Sequence, residues 1–93
     1  MGRSNMTVEL DGRLMTDRAA AHAHIQQQFS FPEYYGRNLD ALYDLLTEIS
    51  EPTHIHLLYS DALIRSLQTY GSEMLETFAE ATEENPKLFF HVT

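Results

Sequence analysis

Apolar and polar residues alternate over Thr7-Val8-Glu9-Leu10, the period of a half-buried strand, and Asp11-Gly12 closes that strand as a turn. Thr16 or Asp17 can then cap a helix running to about Phe29, with Ala20, His24, Ile25 and Phe29 roughly on one face. Ser30 to Gly36 reads as loop: Pro32 pushes Phe31 out of the helical region, and Gly36 permits a positive φ. The clearest helix follows its cap at Asn38. There Leu39, Leu42, Leu46 and Ile49 recur at spacings of three and four, with Leu45 beside them, until Pro52 stops the pattern. His54 to Tyr59 reads as a strand. Ser60 or Asp61 can cap a short helix over Ala62–Gln68, broken by Gly71-Ser72. Glu73 to about Glu83 resumes helix with Met74, Leu75 and Phe78 inward, and Asn85-Pro86 ends it. Leu88 to Val92 is a last strand.

This β-α-α-β-α-α-β order predicts an α/β fold: a small three-stranded parallel sheet with right-handed connections and helices packed mainly on one side. At 93 residues the chain has room for one domain, placed at 6–93, with residues 1–5 a polar extension or an expression remnant. Fourteen acidic residues against six basic ones give a formal charge of -8. Such a surface repels phosphate backbones, which argues against direct nucleic-acid binding and for a basic protein partner. The absence of cysteine excludes disulfides, thiolate metal sites and a cysteine nucleophile, and points to the cytoplasm. No apolar run approaches the ~18–20 residues of a membrane span, and no signal segment opens the chain.

The polar face of the helix after Asn38 carries the chemistry. Asp40, Tyr43, Asp44, Thr47 and Glu48 fall at i, i+3, i+4, i+7 and i+8, opposite the leucines. Asp40 and Asp44 are like charges four apart, which costs an isolated helix about 0.2–0.5 kcal/mol. The helix N-terminus partly compensates Asp40, but no basic residue at 40, 41, 47 or 48 relieves Asp44. One reading is a solvated acidic face. The other is a pattern made for an outside cation: the two carboxylates stand about 6 Å apart along the axis, near the spacing of successive nucleic-acid phosphates.

The run from Phe31 to Thr47, FPEYYGRNLDALYDLLT, closely resembles the signature of the barstar family, intracellular inhibitors of barnase-type ribonucleases. The match is gap-free and mixes core with surface residues. It continues more weakly over nearly the whole chain, with Gly71-Ser72-Glu73 and Phe78 to Ala81 similar to the family's last helix. The resemblance implies the barstar fold and a non-enzymatic function: the loop and acidic helix 31–48 plug the active site of a basic, extracellular-type ribonuclease in a 1:1 complex, without cofactor. It makes Asp44 the central carboxylate, surrounded by Tyr34, Tyr35, Gly36, Asn38, Asp40, Tyr43 and Thr47, with Glu80 adding an outlying carboxylate from another helix. Tyr43 stands where the best-known member has tryptophan, and Arg37 where it is acidic. Glu48-Ile49 replaces Gly-Trp, and Asp61–Tyr70 matches little.

Other arrangements are weaker. His54 and His56 share a strand face and could hold zinc if a carboxylate joined them, whereas His22 and His24 lie nearly opposite each other on a helix. The Asp40/Asp44 pair could mimic a glycosidase couple, but a chain this small offers little substrate cleft. Two functional classes therefore stand side by side: a ribonuclease inhibitor, and a non-inhibitory acidic module that binds some other basic protein.

Overall fold

The computed structural model describes residues 6–93, so the expectation for residues 1–5 lies outside the described residues. Three parallel strands, β1 (Met6–Asp11), β2 (Thr53–Leu58) and β3 (Leu88–Val92), form one sheet in the order β1-β2-β3. Val8 lies opposite Ile55, and Ile55 opposite Phe90. Helices α1 (Arg18–Phe29) and α2 (Leu39–Thr47) carry the chain from β1 to β2, and α3 (Ser60–Leu67) and α4 (Thr69–Glu84) from β2 to β3. The predicted α/β architecture is therefore observed.

Period-2 alternation decides which sheet face is covered. Val8 and Leu10 of β1, Thr53, Ile55 and Leu57 of β2 and Leu88 of β3 are buried. They share the core with Ala21, Ile25 and Phe29 of α1, Leu42 and Leu46 of α2, Leu63 of α3, and Met74, Phe78 and Ala81 of α4. The opposite face carries Thr7, Glu9, His54, His56, Phe89 and His91, all half-buried or exposed. His54 and His56 do share that face, as their spacing predicted, and His91 joins them. The rings stack with centroids 4.7 Å apart for His54–Phe89 and 4.8 Å for His56–His91. Among the described residues, no three His, Asp or Glu side chains converge to hold a metal, and no helix is long and apolar enough to cross a membrane.

The outer edge of β1 is sealed from α1: the Asp11 N–H donates to His24 Nε2 at 2.9 Å, and Gln28 Nε2 donates to the Glu9 carbonyl at 3.0 Å. His24 is thus neutral at Nε2 and structural, not part of the α1 core face. That face is Ala21, His22, Ile25 and Phe29, where Ala20 and His24 were expected. The alanine-rich stretch 19–23 offers little hydrophobic contrast to set the phase of the helix.

Two breaks also move. Asp11 does not simply turn the chain; its carboxylate accepts from the Arg13 N–H and caps a 3-10 turn over Gly12–Leu14. A Cβ at Gly12 would stand 2.2 Å from the Tyr59 carbonyl oxygen, so only glycine fits there. The expected helix break at Gly71-Ser72 falls instead at Gln68, with φ 58 and ψ -130, and α4 runs unbroken through Gly71. Gly71 is buried where α3 crosses α4; a Cβ would meet Ile64, Leu63 and Leu67 atoms at 3.3 Å. The glycine serves close helix approach. Likewise α3 starts at Ser60, with no side-chain cap, after a left-handed Tyr59.

Candidate protein-binding site

The loop between α1 and α2 is anchored from below. Phe31 stacks on Phe29 at 4.9 Å and tilts against Tyr35 at 5.2 Å. The Tyr35 N–H donates to the Pro32 carbonyl at 3.0 Å, closing a turn. This turn separates two adjacent tyrosines: Tyr34 is 79% exposed, whereas Tyr35 is 4% exposed. The Tyr35 hydroxyl hydrogen-bonds His22 Nδ1 at 2.7 Å, and His22 Nε2 hydrogen-bonds the Tyr70 hydroxyl of α4 at 2.7 Å. A buried Tyr35–His22–Tyr70 chain therefore ties the loop to two helices. Burial, then the Arg18 and Arg37 charges, hold the His22 pKa below its ordinary value. Burial drives the Tyr35 phenol the other way, well above its ordinary range.

The left-handed residues of this loop are Ser30, which ends α1, and Arg37, each with φ 57, and not Gly36. Gly36 serves close packing: a Cβ there would meet Ala41 Cβ and Asn38 Nδ2 at 3.3 Å.

Asn38 caps α2 as predicted, its Oδ1 accepting from the Ala41 N–H at 2.7 Å. The other end of α2 is held by a residue that sequence reading treated only as a helix stop. Buried Asn85 donates to the Leu46 carbonyl at 3.0 Å and the Ile49 carbonyl at 2.9 Å. The Leu46 carbonyl also accepts from the Ile49 N–H at 3.3 Å, whereas the Ile49 carbonyl, just past the helix terminus, is taken up by Asn85. Thr47 turns its hydroxyl back onto the Tyr43 and Asp44 carbonyls, so its side chain is committed within the helix.

Between α2 and α4 lies an open hollow of about 440 Å³ lined by Leu39, Asp40, Tyr43, Asp44, Thr77 and Glu80. The structure thus brings Glu80 into the same hollow as Asp40 and Asp44. None of the three carboxylates forms an ion pair among the described residues, where the pairs are Arg13–Asp11 and Arg65–Asp61. Thr77 was not anticipated, although its place three residues before Glu80 puts both on one helix face. A second hollow of about 230 Å³ runs from Tyr34, Tyr35 and Gly36 to Ala41, Asp44, Leu45 and Glu48. Asp44 lines both, so Tyr34, Tyr35, Gly36, Asp40, Tyr43 and Glu80 are grouped around it, whereas Asn38 and Thr47 line neither hollow. Unpaired carboxylates lining one open groove offer acceptors that suit guanidinium or ammonium groups.

The model of the family described as Barstar (barnase inhibitor) matches residues 5–93. The protein named "Putative ribonuclease inhibitor YrdF" of Bacillus subtilis (strain 168) is 37% identical over 76 residues, which covers 81% of this chain and 84% of that protein.

Proposed function

This chain belongs to the barstar family, whose members are inhibitors and not enzymes, and on that premise we propose that it inhibits a basic microbial ribonuclease of the barnase type. The loop and helix 31–48 enter the active-site cleft of the enzyme in a 1:1 complex. Asp44 stands in for a substrate phosphate and Asp40 flanks it. Tyr34 reaches in from the loop, Tyr43 supplies apolar contact, and Glu80 meets a further enzyme cation. Asn38, Gly36 and Thr47 shape this surface, and Tyr35 supports it from beneath. The block is steric and electrostatic, with no covalent step and no cofactor. The protein acts in the bacterial cytoplasm, as immunity against a ribonuclease destined for secretion.

The observation that carries this reading is the hollow that Asp40, Asp44 and Glu80 line, none of them in an ion pair among the described residues. Asp40 and Asp44, like charges four apart on one helix, cost folding energy that an arginine-rich or lysine-rich cleft would return on binding. Titration of the purified chain into a barnase-type ribonuclease with a fluorogenic RNA substrate tests it. Stoichiometric loss of RNA cleavage is expected. No inhibition of any such enzyme at micromolar concentration would leave the chain a basic-protein-binding module without inhibitory function.

A further inference from the structure

Arg13 pairs with Asp11 at 2.9 Å and Arg65 with Asp61 at 3.4 Å. Arg18 and Arg37 pair with no carboxylate among the described residues, in a chain with 14 acids and only 6 bases. Both are nevertheless held in place by neutral groups. The Arg18 guanidinium lies 4.0 Å from the centre of the Tyr70 ring. Tyr70 is itself anchored through its hydroxyl to buried His22. Arg37 donates from Nε and a terminal nitrogen to Gln26 Oε1, at 3.2 and 3.0 Å. Those two bonds leave three of its five N–H donors free. Its backbone is also left-handed, a strained state for any residue with a side chain, where glycine would sit without cost.

Both arginines line one hollow of about 310 Å³, together with Asn38, Leu39, Asp40 and Tyr70. Asp40 also lines the acidic hollow, so the cationic notch and the acidic cleft adjoin. Planar guanidinium groups, pre-positioned and short of acceptors, fit a carboxylate. With a formal charge of -8 the chain repels polyanions, so a single carboxylate suits the notch and a phosphate chain does not.

We propose that the Arg18–Arg37 notch receives an aspartate or glutamate side chain from the rim of the partner enzyme, beside the basic cleft that takes Asp44. The inference rests on the inhibitor reading above. It says which enzymes are partners: those with a carboxylate at this edge of an otherwise basic cleft.

The sign of one substitution decides. General attraction between an acidic inhibitor and a basic enzyme makes any arginine-to-glutamate change neutral or favourable for binding. A carboxylate in the notch makes it harmful at two positions only. Affinity and rate constants would be measured at fixed ionic strength, against a barnase-type ribonuclease that the unaltered chain inhibits. Arg37→Glu and Arg18→Glu are expected to weaken binding at least tenfold, mainly through faster dissociation. Arg37→Gln and Arg18→Gln, which keep much of the bulk and lose the charge, should fall in between. Arg65→Glu, a control outside the three hollows with the same charge change, should bind as well as or better than the unaltered chain. Urea midpoints establish that each variant is folded, and the glutamine variants decide if a glutamate variant is not. On the enzyme, one rim carboxylate changed to its amide should abolish the further effect of Arg37→Gln. If Arg37→Glu and Arg18→Glu tighten binding as Arg65→Glu does, the notch is refuted while the inhibitor reading stands. If the unaltered chain inhibits no such enzyme, both fall together.

Discussion

At the scale of single residues, the proposed site predicts that binding and folding rest on different side chains. Asp44 is exposed, has no ion pair among the described residues, and lines both hollows of the proposed contact face. Asp44→Ala relieves its repulsion with Asp40, so urea denaturation should find the free protein unchanged or slightly more stable. Inhibition should weaken by several kcal/mol, because enzyme cations lose their partner inside a desolvated interface; the barnase–barstar pair is the reference case for such a loss. Alanine variants of Asp40, Tyr34 and Tyr43 should rank next, with Glu80 and Glu48 last; Glu80 or Glu48 outranking Asp44 would overturn the docking pose. His22 behaves in the opposite way, buried and structural. Its pKa is depressed in the folded state, so the unfolded chain binds the extra proton. Stability is thus present above about 6.5, its ordinary value, and is lost as pH falls from there through the folded-state value. Urea midpoints measured from pH 7 down to pH 5 should fall, and His22→Gln should flatten that slope. An equal slope in the variant would place the proton uptake elsewhere. The acidic face could be read from sequence because its residues follow one helix at fixed spacing. His22 could not, since nothing in its local pattern reveals that Tyr35 and Tyr70 meet it from thirteen and forty-eight residues away.

At the scale of elements, α2 is fastened by an asparagine at each end. Asn38 was legible, being a local cap followed at once by the leucine stripe. Asn85 was not, because its partners Leu46 and Ile49 lie far back in the chain. Asn85→Ala should cost about 1–3 kcal/mol by leaving the part-buried Ile49 carbonyl without a donor and removing the second bond to the Leu46 carbonyl. It should also speed amide hydrogen exchange across α2 more than across α1; a uniform change would mean that Asn85 does not act through α2. The same contrast explains the helix boundaries. Caps mark ends locally, so the limits at Asn38 and Asn85 came out well, whereas α2 ends at Thr47, short of the Ile49 and Pro52 to which its pattern ran. Gly71 misled because a glycine in a helix reads as a break, yet here it is the contact that lets α3 and α4 approach closely. The real break, at Gln68, uses a residue with no breaker signature.

At the scale of the whole molecule, the fold was legible because three strands and four helices alternate in an order that admits few topologies, and because each strand carries its alternation in plain view. Which side of α1 faces the sheet was the part that alternation could not supply. The formal charge of -8 has its own consequence. Association with a basic ribonuclease should slow steeply as salt rises from low to physiological concentration, while dissociation changes little. Stopped-flow association that ignored salt would reduce the acidic face to a solubility feature. Asn85 finally bears on the order of synthesis. When α2 leaves the ribosome it has its own cap at Asn38, but its far end waits for a residue nearly forty positions later. Its hollow waits for Glu80, and the central strand waits for β3 to cover its second edge. At roughly 5–20 residues per second, that interval is on the order of 2–8 s. A nascent chain therefore exposes the acidic helix seconds before the full hollow exists, so under the proposed inhibitor reading whole molecules, and not chains still being made, supply the block.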